Sequence, residues 1–302
     1  MNRPATASID ASRIERWAPA AFVVLWSTGF PLGRYATKDS GALTFLTVRL
    51  AIAAVLLWIL ATVINERPIE AQVARWTALA AMGLHVAYLG GVWLAIAWGL
   101  PSGLGALIAG LHPVLTSIGA RVFLGEHLSR RQWYGVGLGF AGVAFVVVER
   151  LSQHVGGLGR SALIAMGIAV IGMSAGTLTQ RARGTSMPLV RGTAVQYAAS
   201  ALVLAVPAGV NEQFHMHWTA RLVWSYAYAV VVLSIGSILL LMWLLARQAA
   251  AQVTSLFFLT PALSAIEGRL AFGEHLGVLT VVGMGIALTG VALATRSRSQ
   301  PS

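Results

Sequence analysis

Residues 111–128 read LHPVLTSIGARVFLGEHL, and residues 259–276 read LTPALSAIEGRLAFGEHL, at a constant offset of 148 positions. Carried on through residue 144, matched to 292, the offset keeps 14 identities in 34 positions. Pro113/Pro261, Arg121/Arg269, Gly125-Glu126-His127/Gly273-Glu274-His275 and Gly142-Val143-Ala144/Gly290-Val291-Ala292 are among them. The chain therefore reads as one unit written twice.

Composition says what the two units sit in. Charged residues make up 10% of the chain against 57% hydrophobic, the mean hydropathy is +0.75, and apolar stretches of about twenty residues recur from end to end. The expected class is an all-α polytopic membrane protein. A chain of 302 residues has room for roughly ten spans of about 20 residues and none for a soluble domain. The absence of cysteine removes a disulfide frame and a thiolate metal site. Lys and Arg number 21 against 10 Asp and Glu, but the bases are scattered at helix ends without interleaved aromatics, which argues against nucleic acid and for topology signals. The partners expected are the lipid bilayer and a small-molecule solute; monomer and homodimer both stay open.

A polar tail, 1–16, precedes a first five-helix repeat, 17–149. A linker at 150–160, with Gly156, Gly157 and Gly159, leads to a second five-helix repeat, 161–295, and a tail, 296–302. Spans are predicted near 17–35, 42–64, 76–98, 102–124 and 132–148, then near 161–180, 188–209, 221–245, 251–271 and 277–295. The first is not read as a signal peptide, because it holds Trp26, Pro31 and Arg34, lacks a small-x-small cleavage site and runs straight into another span. With the N-terminus inside, fourteen Lys and Arg residues fall on inner segments or helix ends and six on outer ones. Both termini are therefore expected in the cytoplasm, in a bacterial inner membrane. Five spans per half is an odd number, so the second copy enters the membrane inverted: the Glu126-His127 loop faces inward and the Glu274-His275 loop outward. Two inverted copies that rock about a site between them suit a carrier.

Pro113 and Pro261 fall in the middle of matching spans, where each frees a carbonyl one turn earlier, that of Ala109 and that of Phe257. Pro31 breaks the first span. His112, Thr116 and Gly119, matched by Thr260, Ser264 and Glu267, put a polar stripe on one face of each copy, expected to look into the bundle. The alternative is that the hydroxyls bond backbone carbonyls and the prolines are tolerated kinks. The ionisable groups well inside spans are His85, His112, Glu267 and, nearer the outer end, Arg49. A charge at mid-bilayer costs roughly 2.5 to 3.5 kcal/mol on insertion scales, so such groups face protein or water. For Arg49 two readings stand: an ion pair with Glu267 or Asp39, and snorkelling to the interface. His85, His112 and Glu267 are the candidates for proton coupling; a neutral histidine bonded to a carbonyl is the plainer alternative.

The other polar and aromatic residues inside spans are Trp26-Ser27-Thr28, Tyr88, Trp93, Ser174, Thr177, Tyr226, Tyr228, Ser234, Ser237 and Trp243. Such a lining suits a small, partly apolar solute, whereas Trp17, Trp76, Trp133, Trp218 and Trp224 read as interfacial anchors. The candidate substrate-binding set is Trp26, Ser27, Tyr88, Trp93, His112, Ser174, Ser237, Trp243 and Thr260. The Gly-Glu-His triplets are read as helix-ending turns and not as metal sites, since adjacent residues cannot aim at one ion from one helical face. Gly135, Gly139 and Gly142, with Gly283, Gly285 and Gly290, read as close helix packing. No P-loop, zinc-protease pair or catalytic triad is present, so no cofactor and no catalytic residue are expected. An intramembrane enzyme acting on a lipid-linked substrate would instead need Glu267, His112 or His85 converging at a lateral opening to lipid.

Trp26-Ser27-Thr28-Gly29-Phe30, Phe45-Leu46-Thr47-Val48-Arg49 and the two Pro-to-Gly-Glu runs, 113–126 and 261–274, resemble the EamA-type family of the drug/metabolite transporter superfamily over essentially the whole chain. The resemblance implies ten helices in two inverted five-helix repeats, a central pocket lined mainly by spans 1, 3, 4, 6, 8 and 9, and export of small metabolites, often amino acids or related compounds. His112 before Pro113 departs from the small or apolar residue expected in many relatives. An uncoupled facilitator of the same solutes is the nearest alternative.

Overall fold

The computed structural model describes residues 6–125, 129–153, 159–183, 187–247, 256–274 and 276–295. Among them the backbone is helical with no strand, apart from an isolated bridge between Ser40 and Met216. In the first half lie α1 (Thr6–Ser27), α2 (Gly29–Ala36), α3 (Ala42–Val63), α4 (Ala71–Ala81), α5 (Tyr88–Ala97), α6 (Ser102–Ala109), α7 (His112–Leu124) and α8 (Arg130–Gln153). The second holds α9 (Arg160–Arg183), α10 (Leu189–Glu212), α11 (Ala220–Ala227), α12 (Ser237–Arg247), α13 (Thr260–Phe272) and α14 (Val278–Thr295). Among the described residues seven helical stretches are long and apolar enough to cross a membrane: Ala42–Val63, Ala71–Ala97, Ser102–Phe123, Arg130–Val148, Arg160–Arg183, Leu189–Glu212 and Ala220–Leu241; Val278–Leu293 is a shorter apolar helix. Their outward faces carry residues such as Phe123 and Leu202 at 79% and 74% exposure, an apolar surface that suits lipid and not water. This is a multi-pass membrane protein.

Each proline singled out in the sequence opens a new helix. Pro31 lies in the first turn of α2 after a break at Thr28, Pro113 in the first turn of α7 after a turn at Gly110-Leu111, and Pro261 in the first turn of α13 after a 3₁₀ turn at Phe257–Leu259. There the missing N–H costs nothing, because first-turn amides have no intrahelical acceptor. Gly125 and Gly273 close α7 and α13 with φ of +71° and +66°, a left-handed conformation that glycine enters without a Cβ clash. The expected helix-ending turns are therefore present. Glu126, His127 and His275 lie outside the described residues, as do residues 1–5, 296–302 and 154–158 of the linker, Gly156 and Gly157 included, whereas residues 6–16 of the expected tail belong to α1 and residues 150–153 to α8.

The halves meet as antiparallel copies. A Cβ on Gly142 of α8 would overlap the Ala287 nitrogen and Gly283 oxygen of α14, and one on Gly290 would overlap the Gly139 nitrogen. Under the 148-residue offset Gly142 corresponds to Gly290 and Gly135 to Gly283, so each contact is the other with the halves exchanged. Sequence advances along α8 as it recedes along α14, and two equivalent helices in antiparallel contact are related by a two-fold axis across them. Gly285, expected to pack, has open space around it.

Carboxylates from one half cap helices of the other. The residues before α3, α6 and α10 are Gly41, Pro101 and Pro188, none of which caps its own helix with a side chain. Glu212, at the end of α10, accepts from the Leu43 and Thr44 amides at 3.0 and 2.7 Å. Glu66, just past α3, accepts from the Val190 and Arg191 amides at 3.0 and 2.6 Å. Glu274 accepts from the Ser102 amide and hydroxyl, both at 2.9 Å, and from Arg34 at 3.0 Å. A negative charge at a helix N-terminus satisfies orphan amides and complements the helix dipole.

Candidate functional site

Besides the 3₁₀ turn before α13, two segments depart from α-helical winding: Met82–Ala87 between α4 and α5, and Tyr228–Gly236 between α11 and α12, both π-helical. The second covers the positions that the offset assigns to the first. A π segment widens the helix and shifts the side chains that follow it around the axis. Here both segments border a cavity of about 400 Å³ between the halves, into which the first presents Leu84 and His85 and the second Leu233.

The walls are mostly apolar and aromatic, with Trp26, Phe30, Tyr88, Trp93 and Phe257 supplying the rings. Phe45 is stacked between Trp93 and Tyr226, with centroids 4.8 and 4.3 Å away, which fixes the Trp93 wall. His112 reaches back with Nδ1 3.1 Å from the Ala109 carbonyl, the group that Pro113 leaves without an amide. In the neutral ring this puts the proton on Nδ1. His85 Nε2 lies 3.3 Å from Gln196 Oε1, and Gln196 in turn donates to Gln180 Oε1 at 2.9 Å. The His85 ring rests edge-on against Tyr197. Arg49, 7% exposed, donates from Nε to Ser234 Oγ at 2.9 Å.

Of the residues singled out in the sequence, Trp26, Tyr88, Trp93, His112 and Ser237 border this cavity, together with His85 and Pro113. Four others do not. Ser27 is buried and donates to Glu267 Oε1 at 2.7 Å. Ser174 donates to the carbonyls of Val170 and His112, which steadies the His112 backbone. Trp243 packs in a separate cluster with Phe22, Val23 and Leu244. Thr260 is buried in α13 with its hydroxyl unpaired. Glu267 also stands off the cavity, and the pairing expected between Glu267 and Arg49 is not formed: each bonds a serine instead. Nor does Asp39 serve Arg49, since Arg221 and Thr219 hold it. Arg49 is too buried to snorkel. Pro31 borders a shallow lateral groove and Pro261 a small gap against α14.

Sequence reading passed over Gln196 and Tyr197, which line the cavity from α10, and gave Arg49 of α3 no place in it. The implied pocket omitted both helices, which here supply its most polar groups. A mid-span glutamine is as informative as a mid-span histidine, and that was the available signal.

Fold and site together define a helical membrane protein built from two antiparallel copies around a solute-sized hollow. The sequence matches the EamA-like transporter family over residues 17–148 and again over 160–296, and the chain belongs to that family. It is 27% identical over 285 residues to the uncharacterized transporter YvbV of Bacillus subtilis strain 168, covering 93% of this chain and 92% of that one. It is 26% identical over 289 residues to a probable terminal-alkyne amino-acid exporter of Streptantibioticus cattleyicolor, covering 93% of each. A solved crystal structure superposes with a TM-score of 0.62 at 18% identity, over 93% of this chain and 96% of that one, a likeness of fold.

Proposed function

We propose that this family member is a secondary transporter that moves a small solute by alternating access, exporting metabolites such as amino acids or related compounds. The observation that carries the reading is the cavity of about 400 Å³ walled by both halves. Antiparallel copies that meet at such a hollow can tilt about it and expose it to either side in turn. On this reading α1 with α2, α13 with its 3₁₀ turn, and α14 complete ten spans in two inverted sets of five. Both termini are cytoplasmic in a bacterial inner membrane, as the arginine distribution favours. The name of the Streptantibioticus relative supports amino acids as the class to try first.

Among the three groups considered for proton coupling, His85 and His112 are engaged with Gln196 and the Ala109 carbonyl. Glu267 has one oxygen bonded by Ser27 and the other buried without a partner. Coupling is assigned to Glu267, which a proton or a water would complete. The test is counterflow of labelled amino acids and metabolites in proteoliposomes, with and without an imposed pH gradient. The wild type is expected to concentrate solute when the gradient is present, and Glu267→Gln to exchange solute without concentrating it. Concentration unchanged in Glu267→Gln, His85→Gln and His112→Gln would place coupling on another group, and counterflow without concentration in the wild type, with the gradient or without it, would make the chain an uncoupled facilitator. Lipid modification with no counterflow of any solute would make it an enzyme.

A further inference from the structure

Arg49 is a buried cation with no acid. Its guanidinium has five N–H groups, of which one goes to Ser234. Among the described residues nothing else accepts from it, and the ion pairs found there join Arg34 to Glu274 and Arg221 to Asp39. The described residues lining the cavity include no aspartate or glutamate. A charge removed from water and left unpaired is unfavourable unless something of opposite sign reaches it. Position and orientation are fixed: Ser234 lies in the π segment of the second half, and Tyr197, which donates to the Ser234 carbonyl at 3.3 Å, lies alongside.

We infer that Arg49 is the anchor for a carboxylate on the transported solute, and that the aromatic walls hold an apolar body attached to it. A planar fork with several free donors matches a carboxylate bidentately. One positive charge among apolar walls suits a singly charged head, whereas a doubly charged phosphate would leave a net charge buried. The inference rests on the transport reading and names what that site selects: the acid group of the solute is read by charge, and its body by size and apolarity.

The probe is one apolar body with three heads: 3-phenylpropanoate, its primary amide and 3-phenylpropylamine. Each is titrated by calorimetry into the detergent-purified full chain and then tested for counterflow in proteoliposomes. The acid is expected to bind at least tenfold more tightly than the other two. Arg49→Gln is expected to erase that preference, the acid falling to the affinity of the amide. Arg49→Lys, which keeps the charge without the fork, should retain part of it. Should Arg49→Gln not fold, Ser234→Ala releases Nε while leaving the cation in place and is expected to weaken acid binding several-fold. Equal binding of acid, amide and amine, or a preference that survives in Arg49→Gln, overturns the inference. So does displacement of the acid by inorganic phosphate at equal concentration. If the amine or amide alone is carried, the anchor is wrong and the transporter stands; if a wide solute panel shows no counterflow while the acid still binds through Arg49, transport fails and the anchor stands.

Discussion

A carboxylate at the end of one helix caps the start of a helix more than a hundred residues away, at Glu66, Glu212 and Glu274. Reading the sequence gave these residues no such task, because capping patterns are local and here the partners are separated by 124 to 172 positions. The local clue was negative: Gly41, Pro101 and Pro188 leave three helix starts uncapped. Gly41 also makes the approach possible, since a Cβ there would overlap Glu212. Glu212→Ala strands two amides and the Thr44 hydroxyl, and is expected to lower unfolding free energy by about 3 kcal/mol. Glu212→Gln, which keeps one acceptor, should cost less; denaturant unfolding in micelles measures both. Asp39 carries the pH dependence at the same end. Its carboxyl is held at about 2 by Arg221, which bonds both oxygens, with Thr219 donating as well. Because the folded value lies below the ordinary one near 4, the tie contributes fully above about pH 5 and is lost as pH falls through 4 toward 2. The thermal midpoint of the wild type should exceed that of Asp39→Asn by a constant margin above about pH 5 and converge with it in that acid window.

Among elements, the broken helices were legible and the widened ones were not. A proline announces a break because it lacks a donor, and all three predicted breaks coincide with helix starts. A π segment has no comparable residue signature: Met82–Ala87 and Tyr228–Gly236 are ordinary apolar runs whose extra width shows only in the backbone. The absence of α10 from the expected pocket wall has another source, the family resemblance, which implied a lining without that helix although Gln196 stands in its sequence. Glycine-rich packing was legible as a pattern but not residue by residue. The contact of α8 with α14 makes the difference testable. Gly142→Ala sets a Cβ against two backbone atoms of α14, which cannot yield without separating the helices; overpacking of this kind costs about 1 to 3 kcal/mol. Gly137, in the same helix, has nothing within 4 Å of its would-be Cβ, so Gly137→Ala should stabilise by up to about 1 kcal/mol through helix propensity alone. Opposite shifts in melting temperature for two identical substitutions five positions apart are the expected result, with Gly290→Ala following Gly142→Ala by symmetry.

For the whole molecule, the duplicated stretch already implied two related halves, and the repeated glycine contacts give their antiparallel relation a physical form. What the sequence could not reveal is which contacts hold the halves together at each end. At the end formed by residues 36–42 and 212–220, the Arg221–Asp39 pair, the Arg34–Glu274 pair and the Trp93–Phe45–Tyr226 stack all cross from one half to the other. On the proposed mechanism these contacts must part whenever the cavity opens toward that end, so weakening them should bias the molecule to that opening. The variant to use is Asp39→Asn with Arg34→Gln, which removes one partner of each ion pair and leaves the Glu274 cap on α6 intact. The chain has no cysteine, so Ser237→Cys in the cavity wall is a unique reporter. A shift of about 1.4 kcal/mol in the opening equilibrium is tenfold in population. A membrane-impermeant thiol reagent applied from that end should then label Cys-bearing double variant about tenfold faster than the parent, and from the opposite end more slowly. Acceleration from both ends would mean general loosening, and no change at either would make the two ion pairs static ties, with the gate on that side left to the aromatic stack.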